Sequence, residues 1–465
     1  MVRDKQLGEL CESFVAESLG QLRARLAAGE TIAQGAAFKR KIVWDDTTFG
    51  GTGPSMKTDL VVKPLTGSFI LSTIDSLKNL PSARRLLEYA ENNETIRKHY
   101  DAYVSREGKP VRGLALQDTI SRDLFWTFFR RYVGDPPDFS FDPQKFEREY
   151  SQMEDYLYGQ FVYTYFAPIA LLSFDAGAID LGSGLTIRRT NQGEVNTIFG
   201  DDFAFHSAPV RDFTTFNNVI ECRIEQSKFS ELNGRIESVV SALRLFRQSG
   251  VGISSIIQEP PQQVWGTVML SSSSGTMAMN LLGGTCRLSA EEVSQFKAFH
   301  ARFLNLRELI AKKEYMSLAL RRYNSALDER QLEDRIIDFM IALEALFSSD
   351  ARELRYRLSL RVAVFLGKND TEREEILQFM KKAYDARSEI VHGGIFKPFR
   401  VESKTYDLTR TSHQLGEITR LSILALLYRI ARPGDESHGT FLDLIDKSLI
   451  SNSAREDIRE DGSKT

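Results

Sequence analysis

Leu288-Ser289-Ala290-Glu291-Glu292 is the stretch on which the fold turns. Ser289 can accept from the backbone of Glu292 while Glu292 reaches back to the backbone of Ser289, the reciprocal capping box that starts a helix. Downstream, helical periodicity follows helical periodicity to about Ile450; upstream, short β-prone runs alternate with helices. The expected class is therefore α+β: a mixed α/β N-terminal domain over residues 1–287 and an all-α domain over 288–450. Residues 451–465 are small and charged, and a disordered tail is expected there.

Working outward from the boundary, Leu7, Leu10, Phe14, Ser18 and Leu22 recur at helical spacing, so residues up to about 30 read as a helix that Gly29 stops. Residues 37–44, 59–62 and 68–71 read as strands, and 50–54 as a surface turn, since no Lys-Ser/Thr follows to make a phosphate loop. Residues 76–158 are mostly helical, broken at Gly134-Asp-Pro-Pro137, with Phe125, Trp126, Phe128, Phe129 and Tyr132 expected in the core. Residues 169–174, 185–188, 219–225 and 264–270 read as further strands, with a helix over 238–248 and a loop at 271–275. Gly182 and Gly184 suit a tight hairpin.

Composition narrows the functional classes. A formal charge of -3 over 465 residues gives no global attraction to nucleic acid or to anionic membrane, so any RNA site must be local. The most apolar stretch, near 166–174, is broken by Pro168 and too short to span a bilayer. The N-terminus has no apolar leader core, and a cytoplasmic location is expected. Cys11, Cys222 and Cys286 are scattered, which argues against a disulfide framework or a zinc site, and no cofactor or metal is expected. Of six histidines, His99, His300, His413 and His438 read as helix-surface or cap residues and His206 as a strand or loop residue. His392 differs.

Three helices in the second half carry charge where apolar residues belong. On 335–348 Ile336, Met340, Leu343 and Phe347 form a stripe that includes Glu344; on 353–366 Arg361 sits amid Leu354, Leu358, Val362 and Phe365. A buried charge costs several kcal/mol unless paired, so Glu344 and Arg361 are expected to meet, as a structural pair or within a groove. On 372–391 Arg387 shares the face of Ile376, Phe379, Met380, Ala383, Tyr384, Ile390 and Val391, with Asp385 or Glu344 as its expected partner.

Arg387 and His392 close that helix in Tyr384-Asp385-Ala386-Arg387-Ser388-Glu389-Ile390-Val391-His392-Gly393-Gly394. Arginine stabilises charge on a phosphate under attack, and histidine moves protons near neutral pH. Five residues of regular helix separate the two side chains by about 140°. Either the glycine stop lets His392 swing back, or two copies of the chain share one site.

The blocks Leu320-Arg-Arg-Tyr-Asn-Ser-Ala326, Arg335-Ile-Ile-Asp-Phe-Met-Ile-Ala-Leu-Glu-Ala-Leu-Phe347, Leu358-Ser-Leu-Arg-Val-Ala363 and Tyr384 to Gly393 resemble the Apea-like branch of the HEPN superfamily, in order, across about residues 313–432. The resemblance implies a helical bundle that dimerises and a metal-independent endoribonuclease, a regulated toxin or antiphage effector cutting tRNA or mRNA. Arg387 and His392 then match the arginine and histidine of the family motif. Ser388 stands where active members often carry Asn, Asp or His. On this reading His392 is general acid or base and Arg387 the phosphate clamp, supported by Ser388, Glu344, Arg361, Tyr384 and Asp385. Lys381, Lys382, Lys397 and Arg400, with Arg352, Arg355 and Arg357, could hold the RNA backbone. The N-terminal domain would take a phage-derived trigger. The alternative is a catalytically inactive RNA- or protein-binding module or regulatory subunit.

Overall fold

The computed structural model describes residues 4–45, 53–106, 109–110, 120–134, 136–191, 218–253, 256–259, 284–348, 353–432 and 437–462. Helix α1 (Lys5–Ala27) is capped by Asp4, whose side chain accepts from the Leu7 N–H, and the chain turns at Gly29 with φ 95°. A long antiparallel ribbon follows, β1 (Gln34–Asp45) with β2 (Gly53–Pro64). Then come α2 (Thr66–Lys78), α3 (Pro81–Asn92), α4 (Glu94–Val104), the short pair β3 (Ser105–Arg106) and β4 (Lys109–Pro110), a π-helical turn (Arg122–Phe128) leading into α5 (Phe129–Val133), and α6 (Pro143–Leu157). The strand expected at 68–71 is instead part of α2. Thr66, Phe69, Ile70, Thr73 and Leu77 are buried on it, a helical spacing, and the hydroxyls of Ser72 and Thr73 bond back to the carbonyls of Phe69 and Ile70. Phe125, Phe128, Phe129 and Tyr132 are core, with Phe125 packed 4.9 Å from the ring of Phe14 on α1.

An antiparallel six-stranded sheet forms the middle of the molecule. It uses β5 (Val162–Ala170), β7 (Ala178–Gly182), β8 (Leu185–Arg189), β9 (Asn218–Glu225), β10 (Gly252–Ile253) and β11 (Ile257–Glu259), in the order β10-β5-β9-β8-β7 with β11 also on β5. Ser183, φ 51°, closes the β7–β8 hairpin between Gly182 and Gly184. The helix read at 238–248 is α7 (Leu232–Phe246). A parallel pair, β6 (Leu172–Phe174) with β12 (Cys286–Leu288), leads to the boundary. The strand read at 264–270, the loop at 271–275, His206, and most of the turn at 50–54 lie outside the described residues.

At the boundary Ser289 caps α8 (Ala290–Lys312) and Glu292 closes the box. α9 (Glu314–Asp328), α10 (Leu332–Phe347), α11 (Leu354–Leu366), α12 (Asp370–Val391), α13 (Leu408–Ile430) and α14 (His438–Lys447) follow. The region is not all-α. Between α12 and α13 stands a hairpin, β13 (Phe399–Val401) and β14 (Lys404–Tyr406), turned by Glu402 at φ 51°. Phe399 and Tyr406 face each other across it, 5.5 Å apart, and Tyr406 packs 4.9 Å from Phe379 of α12, a cross-strand aromatic pair with a helix beneath it. Nor is the tail disordered throughout: Asn452–Gly462 is helical (α15), because Ala454 and Ile458, one turn apart, give even this polar segment a face to bury.

The boundary marks a change of secondary structure, not a break in the core. One apolar cluster includes residues of the sheet, of α7 and of α8 to α14. No helix among the described residues is long and apolar enough to cross a membrane.

Candidate functional site

The sequence of α12 ends in a way that fixes the backbone around His392. His392 is the C-cap; the Gly393 N–H donates to the Ile390 carbonyl and the Gly394 N–H to the Glu389 carbonyl, at 3.0 and 2.8 Å. With Gly393 at φ 79°, this is a Schellman closure, which a side chain at 393 would strain. His392 itself is exposed, and its ring makes no hydrogen bond or ion pair with the described residues. Val391 and Ile395, on either side of it, are exposed as well.

Arg387 faces inward, toward α10. Its Nη2 lies 3.8 Å from Oε1 of Glu344, an ion pair too long to be a hydrogen bond, and both side chains are largely covered, 25% and 20% exposed. Nε of Arg387 and Oε1 of Glu344 lack hydrogen-bond partners among the described residues. Burial raises the Glu344 carboxyl above the usual range, and the nearby Arg387 charge only partly opposes this. Tyr384 lies beside them, its ring centroid 6.0 Å from the guanidinium carbon, and its phenol is raised by burial and then by Glu344. Arg387 is thus an arginine held by a single, loose carboxylate. Ser388 is half-buried, and its carbonyl accepts the His392 N–H at 3.2 Å.

The expected Glu344–Arg361 pair does not form. Arg361 is buried as expected, but its Nε and Nη2 bind both oxygens of Asp446 on α14 at 2.8 and 2.7 Å, and its Nη1 binds the Phe347 carbonyl at 2.7 Å. The two oxygens of Asp446 satisfy the planar fork of Arg361 better than one oxygen could. Arg361 is therefore a structural residue joining α11 to α14. Asp385 is engaged too, by Arg355 at 2.6 and 2.7 Å, and so is not the partner of Arg387.

The basic residues expected to hold RNA are scattered. Lys381 lies 5.2 Å over the ring of Tyr356, and Lys397 pairs with Glu389 at 2.9 Å. Lys382 and Arg400 are exposed, Arg357 lies 4.0 Å from Asp446, and Arg352 is outside the described residues. Three histidines depart from the surface reading: His99 is half-buried, its ring 4.8 Å from that of Tyr156. His300 is fully buried against Phe296, and His438 stacks 4.1 Å on Tyr315 while its Nε2 meets the Leu346 carbonyl at 2.8 Å. Sequence periodicity missed Asp446, because nothing in a local pattern points to a helix so far along the chain.

No known protein family, curated protein or solved structure matches this chain.

Proposed function

We propose that the chain is a metal-independent endoribonuclease of the HEPN type, a regulated toxin or defence effector acting on tRNA or mRNA. The observation that carries this reading is the pairing of opposites at the end of α12: a covered arginine with an incomplete counter-charge, and, five residues on, an exposed histidine with no partner among the described residues. A phosphate could replace Glu344 at Arg387 as a better, bidentate ligand. In the proposed reaction the RNA 2′-hydroxyl attacks the phosphorus and loses its proton to a base, while the 5′ oxygen leaves and gains a proton from an acid; His392 serves one of these roles. Arg387 holds the non-bridging oxygens as charge gathers on them. Regular helix turns the two side chains about 140° apart. A second copy, packed across α12 and its exposed Val391 and Ile395, would set one chain's arginine against the other's histidine.

The test is cleavage of total tRNA and of a defined single strand in EDTA. Expected are products with 2′,3′-cyclic phosphate ends, no cut at a 2′-deoxy linkage, and a loss of at least about 100-fold in Arg387→Ala and in His392→Ala. Chelator-sensitive cutting, or cutting at a deoxy linkage, would sink the mechanism. RNA retained without product would favour the non-catalytic binding module instead.

A further inference from the structure

A cavity of about 520 Å³ opens where the two halves of the molecule meet, between α7 and β10 on one side and α8 and α9 on the other. Val240, Ile253, Ile310 and Leu320 give it an aliphatic lining, and no aromatic ring is among the described residues around it. Arg307 from α8 and Arg321 from α9 also line it. Both are exposed, and neither guanidinium has a hydrogen bond or ion pair among the described residues.

The third arginine of the cavity is already satisfied. Arg244, 4% exposed, pairs with Asp328 and donates to Asn324 and to the Val251 carbonyl. With that pair neutral, Arg307 and Arg321 face one remaining carboxylate among the described residues, Glu237, which leaves the described lining with one positive charge in excess. Gly234, in the first turn of α7, makes room for one of the two. A Cβ there would lie 2.7 Å from Nη2 of Arg307, so the guanidinium rests against bare helix backbone.

We infer that this cavity binds a small aliphatic anion. A carboxylate or phosphate head meets Arg307 and Arg321, whose forks suit either group, and a hydrocarbon body covers the aliphatic lining. The volume falls in the range of ligand pockets, and the place, between two halves of one molecule, is where such pockets tend to occur. The absence of an aromatic platform among the described residues separates this ligand from a stacked base.

The test is titration calorimetry on the full chain with octanoate and with octyl phosphate, each below its micelle concentration, and with inorganic phosphate as the head alone. Saturable one-site binding of either amphiphile is expected, and the tighter of the two identifies the head group. Arg307→Gln and Arg321→Gln should each weaken it about tenfold, the scale of one lost charge-assisted contact. Gly234→Val, which displaces Arg307 without removing its charge, should weaken it too. Arg302→Gln, whose residue stacks on Tyr428 outside the cavity, should leave binding unchanged. Circular dichroism confirms that each variant is folded. The inference is overturned if neither amphiphile binds saturably, if the arginine variants bind as tightly as the parent, or if inorganic phosphate binds as tightly as octyl phosphate.

Discussion

His300 shows most plainly what a single residue can cost. It sits on α8 with no exposed surface, 6.1 Å from the Phe296 ring, and neither ring nitrogen has a hydrogen-bond partner among the described residues. Burial lowers its pKa from 6.5 to about 4. The unfolded chain therefore takes up the proton first: stability is complete above about pH 6.5 and is lost as pH falls toward 4. His99, also lowered to about 4 by burial, adds to the same loss. Replacing His300 by Phe should stabilise the protein by about 1 kcal/mol at pH 7, the cost of an unsatisfied buried polar group, and flatten part of the acid loss. Urea unfolding at pH 7 and pH 5 reads both; an unchanged difference between the two pH values would refute the assignment. At this scale the sequence showed which charges are covered and named Glu344 as one of two partners for Arg387, but it mispaired Arg361. Apolar periodicity placed Glu344, Arg361 and Arg387 inside the bundle, because a helical face is a local property. Partner choice is not local, and Arg361 found Asp446.

Elements were legible where their ends carry chemistry. Ser289 with Glu292, Gly29 and Gly393 each mark a terminus in the sequence and in the structure. Elements without such marks were misread: residues 68–71 look β-prone but belong to α2, and the β13–β14 hairpin is too short for periodicity to register. The joint between α11 and α14 predicts an asymmetry. Arg361 is 4% exposed and Asp446 43%, so losing the carboxylate strands a buried cation, while losing the arginine leaves a carboxylate that water can reach. Asp446→Ala should cost about 3 kcal/mol, and Arg361→Met, which refills the space, distinctly less. A double-mutant cycle between Glu344 and Arg361 should give coupling near zero. Equal losses in the two single variants, or strong coupling in the cycle, would contradict the pairing.

Across the whole molecule, the sequence placed the boundary but not the bond between its sides. The shift from mixed to helical periodicity is written in the chain; the shared core depends on residues far apart in it. Arg420 on α13 donates to the Leu245 carbonyl at 2.8 Å, closing the end of α7, and the Tyr323 hydroxyl on α9 donates to the Arg244 carbonyl at 2.9 Å. Such a joint should make the halves open together. Arg244→Ala should lower the opening free energy of slow amides in β9 and in α10 alike, by about 2 kcal/mol. Native-state hydrogen exchange measures this; loss confined to one side would show two independent units.

The loose contact between Glu344 and Arg387 has a consequence for proton traffic. The carboxyl is already reluctant to ionise, and the arginine is what opposes that reluctance. Any anion that draws Arg387 away removes this opposition and pushes the Glu344 carboxyl further above its usual range. Occupancy at Arg387 and protonation at Glu344 thus rise together, so an anion there is held more tightly as the medium becomes more acidic.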